Sequence, residues 1–218
     1  MVTIPLTYVI IGITVAVSIW CFSNRELKYR LTFSPYSARH QNKWFNTITH
    51  AFVHADYIHL FFNVFVLYSF GYQSSSYGAF GLEADYVSFF GGFGQLWYGL
   101  LYFGGIIFAT IPAFYKHANN PNYLAVGASG AVSAILFSSI ILNPFNSIQF
   151  IFLPGVPIYS IVFGILYLIY EVYMSKKGKD NIAHDAHFSG AIFGILFTIA
   201  IRPETFTELI MQIAHQFN

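Results

Sequence analysis

Ser129 stands between glycines inside an apolar run, Val126-Gly127-Ala128-Ser129-Gly130-Ala131. A second apolar run opens Asp185-Ala186-His187-Phe188-Ser189-Gly190, and a third opens with His50, His54 and His59 and carries Asn63. Polar side chains in hydrocarbon cost free energy unless paired, so serine, histidine and asparagine inside such runs read as a functional site. A serine hydroxyl is a poor nucleophile until a base takes its proton, and His187 is the candidate base. Cleaving an amide also requires donors for the developing oxyanion. His59 and Asn63, four residues apart on one helical face, can both donate, and so can the Ser129 backbone N–H if it lies at a helix start. The chemistry these residues suggest is nucleophilic hydrolysis inside a bilayer. Asp185, two residues before His187, points to another side of a helix, so the expectation is a Ser129–His187 dyad with no carboxylate.

These groups need helices to carry them. The chain has 218 residues, of which 56% are hydrophobic and only 9% charged, and its mean hydropathy is +0.57. Soluble domains carry about 25% charged residues, so this composition belongs to a polytopic membrane protein. Six spans are expected, near residues 4–22, 49–72, 95–115, 125–142, 157–174 and 186–201, giving a single all-α six-transmembrane-helix bundle over residues 1–218. The first run lacks a basic leader and is long enough to cross, so it is read as a retained span. Residues 203–218 carry Phe206, Leu209, Ile210 and Ile213 at helical spacing, which predicts a short amphipathic helix on the membrane surface.

Spans two, four and six start on the same side, which brings His59, Asn63, Ser129 and His187 to a similar depth. Ser129 is about 9 Å in from Tyr123 at 1.5 Å per residue, so a water-filled cavity must reach it. Gly130, Ala131 and Ala134 give span four a small face, and Gly190 and Gly194 give span six a small-xxx-small pair. His187 shares its face with those two glycines, so the base and the residues that dock it point the same way.

The remaining segments read as connections. Residues 23–45 form a long basic, aromatic loop lying partly in the interface, and residues 73–94 a loop rich in glycine and serine. A turn is expected at Leu153-Pro154-Gly155, and residues 175–185 suit a mobile cap. Nine of the 10 Lys and Arg (Arg25, Lys28, Arg30, Arg39, Lys43, Lys116, Lys176, Lys177 and Lys179) fall in loop one (residues 23–45), loop three (residues 116–122) and loop five (residues 175–181). The positive-inside rule would place those loops in the cytoplasm. Formal net charge is +1, so nucleic acid is not an expected partner, and the single Cys21 excludes an intrachain disulfide.

The chain resembles the rhomboid intramembrane serine proteases. Gly127-Ala128-Ser129-Gly130 is similar to that family's nucleophile motif. Ala186-His187-Phe188-Ser189-Gly190 with Gly194 is similar to its histidine motif, and HAFVHADYIHLFFN (His50 to Asn63) to its second-helix signature. The resemblance implies Ser129 as nucleophile, His187 as general base and then acid, and His59 and Asn63 with Ser129 as the oxyanion hole. Gly127, Gly130, Gly190, Gly194 and His54 take supporting roles. It implies single-pass membrane proteins as substrates, cut near a small residue in a helix that unwinds easily. It also implies a bacterial inner membrane location and a site opening outward, against the charge distribution. The alternative is a catalytically silent relative that binds membrane proteins. Two departures stand out. The family's Trp-Arg pair before the second helix is here Lys43-Trp44-Phe45-Asn46. A tyrosine one turn after the serine, which holds the imidazole in some members, is here Ser133, so His187 must be held otherwise.

No cofactor or metal is expected, because His50, His54 and His59 lack the carboxylate of a zinc-binding helix motif. His50 and His54 read as structural, His184 as a solvated loop residue, and Glu171 as a snorkelling acid paired with Lys176 or Lys177.

Overall fold

The computed structural model describes residues 4–76, 78–150, 153–178 and 182–216. Helices dominate, because apolar segments in lipid must satisfy their backbone groups internally. The helices are α1 (Leu6–Ser23), α2 (Arg25–Leu31), α3 (Pro35–Gln41), α4 (Asn46–Thr49), α5 (Tyr57–Phe70), α6 (Leu82–Phe90), α7 (Gly94–His117), α8 (Ser129–Leu142), α9 (Ser160–Lys177), α10 (His184–Ile201) and α11 (Glu204–Gln216). Two antiparallel hairpins join them: β1 (Gln73–Ser75) with β2 (Gly78–Phe80), and β3 (Ser147–Phe150) with β4 (Leu153–Tyr159), in which Ser147 pairs with Tyr159.

Among the described residues, three segments are long and apolar enough to cross a membrane: Leu6–Ser23, Leu82–His117 and His184–Ile201. A fourth counts if Asn46–Phe52 and Tyr57–Phe70, bent by 93°, form one span. The bend has a local cause. A 3-10 turn at His50–Phe52 ends in extended Val53, and Asp56 starts a new helix by accepting the His59 N–H at 2.8 Å. The expected fourth span loses its first four residues: Ala125 exchanges both backbone hydrogen bonds with Phe33 (3.0 and 2.9 Å), so α8 begins only at Ser129. At 14 residues α8 is about 21 Å long, short of the ~30 Å hydrocarbon layer. The expected fifth span begins as strand β4 and becomes helical at Ser160.

α8 is the core of the molecule, with every residue from Gly130 to Ser138 buried. It lies between α7 and α10, and glycines set both contacts. A Cβ on Gly105 of α7 would sit 2.9 Å from Ala134 Cβ. On Gly190 and Gly194 of α10 it would sit 2.0 Å from Gly130 O and 2.2 Å from Ala134 O. Only hydrogen allows these backbones to approach so closely.

Segments read as loops contribute to this core. Residues 73–94 contain α6, whose Glu83 is 1% exposed. Glu83 accepts from Leu6 N (2.6 Å), Thr7 N (2.8 Å), Thr7 Oγ1 (2.7 Å) and Gln95 Nε2 (2.9 Å). It thus caps α1, whose preceding residue, Pro5, has no side-chain acceptor. Tyr86 OH lies 3.0 Å from Ser138 Oγ and 2.9 Å from Thr198 Oγ1, tying α6, α8 and α10 together. Large apolar side chains such as Ile13, Phe61, Phe103, Ile107, Leu166 and Ile169 face outward. Water would not tolerate that surface, and lipid favours it: this is an integral membrane protein.

Candidate active site

Ser129 is the first residue of α8, where backbone N–H groups have no helical partner. The segment before it is pinned from two sides. Phe33 holds Ala125, and Gly127 N donates to His50 O at 3.0 Å. Gly127 has φ +114, a conformation glycine adopts at little cost. Buried Phe33, read as part of an interfacial loop, packs between the His50 ring and Phe114, with centroids 5.3 Å from each. Loop one is therefore a wall of the site.

His187 lies in the first turn of α10, and its Nε2 is 2.7 Å from Ser129 Oγ. The Gly130–Gly190 approach brings the two helix starts together. His187 Nδ1 faces a carboxylate, Glu171 Oε1, at 3.1 Å. This corrects two expectations. Glu171 does not snorkel toward Lys176 or Lys177: it is 2% exposed and lies between α9 and α10. A carboxylate does stand behind the histidine, coming from α9 rather than from Asp185, which pairs with Lys116. His184 is likewise not a solvated loop residue. It is buried at the start of α10, with Nδ1 2.5 Å from Glu171 Oε2. In the sequence the role of Glu171 is masked by Lys176 and Lys177, which offer the acid a nearby exposed partner. The overlooked signal was the stripe Ser160, Gly164, Tyr167 and Glu171, whose spacing puts an acid on the one small and polar face of an otherwise apolar helix.

Tyr167, on that same stripe, meets Ser133, with 3.1 Å between the hydroxyls. Where a tyrosine is missing from α8, α9 supplies both a tyrosine and the group that holds His187.

His59 packs against Gly127: a Cβ there would lie 2.6 Å from His59 Cε1 and 2.7 Å from its Nε2. Ala55 N faces His59 Nδ1 at 3.5 Å, which leaves Nε2 as the ring's donor toward the Ser129 loop. Asn63 is buried and donates to its own helix, Nδ2 to His59 O at 2.9 Å. Among the described residues, no hydrogen bond links His59 or Asn63 to Ser129. His54 Nδ1 lies 2.9 Å from Ser18 Oγ, joining α1 to the bend, and His50 Nδ1 donates to Asn46 O at 3.0 Å. A cavity of about 150 Å³ borders Ser129, with Tyr123, Met174, His184 and Asp185 on its walls. Lys179, Asp180 and Asn181 of the expected cap lie outside the described residues.

Glu171, His184 and His187 bring three ligand atoms within 4.8 Å of one another. Two donors on one tetrahedral zinc sit about 3.3 Å apart. The 2.5 Å between His184 Nδ1 and Glu171 Oε2 is instead a hydrogen-bond spacing, too short for two ligands of one such ion. Chemically, the cluster can take a proton from a serine hydroxyl and stabilise the imidazolium that results.

The family model of the Rhomboid domain matches residues 41–204, which contain Ser129, His187, Glu171, His59 and Asn63. A curated relative, "RHOMBOID-like protein 12, mitochondrial" of Arabidopsis thaliana, is 29% identical over 171 residues, covering 73% of this chain and 47% of the relative. The chain thus spans about half the length of that relative.

Proposed function

From its membership of the rhomboid family, we propose that this chain is an intramembrane serine endopeptidase that hydrolyses peptide bonds in or near transmembrane helices of single-pass membrane proteins. The observation that carries this is the 2.7 Å contact between Ser129 Oγ and His187 Nε2, held by glycine-mediated packing of α8 against α10. In the proposed reaction His187 Nε2 takes the Ser129 proton as Oγ attacks the scissile carbonyl. The oxyanion is met by the Ser129 N–H at the helix start, with His59 and Asn63 turning their donors to it. His187 then protonates the leaving amine, and water reaching the cavity hydrolyses the acyl-enzyme. The short α8 supports this reading, since it begins at the serine, which borders a cavity. In the proposed arrangement α8 and α9 complete a six-helix bundle with α1, the bent α4–α5 pair, α7 and α10, within one domain that ends in the amphipathic α11. A substrate helix reaches the site sideways, between α5 and α9.

The test is cleavage of a single-pass substrate by purified protein in proteoliposomes, wild type beside Ser129→Ala and His187→Ala. Loss of product in both variants with folding retained is the expected result, a fall of about 10³-fold or more. Equal cleavage in all three would mean a contaminating protease. Folded wild-type protein that cleaves nothing would favour a membrane-protein-binding role.

A further inference from the structure

Among the described residues, helix α9 makes its side-chain hydrogen bonds to other elements along one narrow stripe. Ser160 Oγ donates to Asn143 O at 2.6 Å, and Gly164 faces Phe137 and Ile140 of α8. Tyr167 bonds Ser133, and Glu171 sits between His184 and His187. These four are spaced i, i+4, i+7 and i+11, the repeat of a single helical seam. The opposite face, with Ile165, Leu166, Ile169, Tyr170 and Tyr173, is exposed. The seam that docks α9 therefore ends in a carboxylate on the imidazole.

The proton positions follow from the partners. An ionised carboxylate only accepts, so the ring nitrogens facing Glu171 must donate. Both imidazoles then carry hydrogen on Nδ1. His187 Nε2 is left with its lone pair, aimed at Ser129 Oγ 2.7 Å away. An imidazole without such a partner can take the other tautomer, whose Nε2–H cannot accept the serine proton.

We infer that Glu171 is a positioning residue: it completes a serine–histidine–carboxylate relay across α8, α10 and α9, and makes the readiness of His187 depend on α9 being docked. This builds on the protease reading proposed above. The relay moves one proton, from Ser129 Oγ to His187 Nε2, while the Nδ1 hydrogen stays on its ring and its bond to Glu171 shortens as the imidazolium forms. When α9 leaves the bundle, the carboxylate leaves with it.

The test uses the full chain in lipid nanodiscs with 15N-histidine labelling. The wild type is expected to show His187 as the Nδ1–H tautomer. Glu171→Gln keeps the volume but lets an amide NH2 face the ring, so the Nε2–H form should appear. In the cleavage assay Glu171→Gln should lower kcat about 10²- to 10⁴-fold with KM within about threefold, since the defect lies in the base and not in binding. Gly164→Leu wedges α9 from α8 about 10 Å away from Glu171, and should produce the same change of tautomer with the carboxylate intact. It also carries the test if Glu171→Gln does not fold. A folded Glu171→Gln that keeps the wild-type tautomer, or a kcat within threefold of wild type, would overturn the relay. Should the wild type cleave no substrate, the protease reading fails, and the NMR comparison still decides whether Glu171 sets the tautomer.

Discussion

Ser129 and His187 were legible because serine and histidine are rare and costly in apolar runs, because Gly127 and Gly130 flank the serine, and because Gly190 and Gly194 share a helical face with the histidine. Glu171 was not, because its neighbours Lys176 and Lys177 offered a cheap exposed partner, and only the folded chain shows which way it faces. Gly127 shows how much a single backbone conformation supports. Its φ of +114 turns the chain into α8, and its missing side chain leaves room for the His59 ring. Gly127→Ala meets both obstacles. The strained backbone costs about 1–3 kcal/mol, and the methyl group, built 2.6 Å from His59 Cε1, must displace that ring. Expected is a lower melting temperature together with a fall in kcat of about tenfold or more. Gly155→Ala separates the two effects. It has φ +87 with nothing within 4 Å, so it should lose stability and keep its activity. Equal activity of Gly127→Ala and wild type would remove His59 from the reaction.

At the scale of elements, the helices were legible from apolar run length, and their irregular starts were not. Hydropathy records what a residue is, not whether protein encloses its backbone. The break at 53–56 and the extended residues before Ser129 persist because Phe33 O, Phe33 N and His50 O bond them inside the protein. Glu83 was likewise hidden in an apparent loop, since the groups it binds, at Leu6 and Thr7, lie more than 70 residues away. The docking glycines could be read from spacing, and they give the sharpest prediction at this scale. Gly194→Val places carbon where Ala134 O already stands, 2.2 Å from the ideal Cβ. The α8–α10 pair must separate, at a cost of about 3 kcal/mol or more. Because α10 also carries His187, activity should fall along with the melting temperature. Gly12→Ala on α1, with nothing within 4 Å, should be neutral or slightly stabilising by helix propensity. If Gly194→Val melted like Gly12→Ala, close packing could not be what registers the catalytic pair.

For the molecule as a whole, composition alone indicated a membrane protein, whereas the division of labour among its helices required coordinates. α7, α8 and α10 form a glycine-welded block that holds Ser129 and His187 in register. Two helices flank α8: Phe70 of α5 and Ile161, Phe163, Tyr167 and Leu168 of α9 pack on one cluster of Leu136, Phe137, Ile140 and Ala191. α5 and α9 thus meet the bundle through side chains on a shared cluster, and the route proposed above has them part there. A disulfide between cysteines introduced at facing positions of α5 and α9 tests this division, since native Cys21 is 1% exposed and will not compete. Closing the seam should abolish cleavage of a helical substrate, and reduction should restore it. A small fluorophosphonate should still label Ser129 in the cross-linked protein, because α9, held docked, keeps Glu171 on His187. Route and chemistry are then separated in one molecule. Unchanged turnover of the helical substrate with the cross-link formed would refute passage between α5 and α9. Loss of fluorophosphonate labelling would mean that the cross-link distorts the block itself.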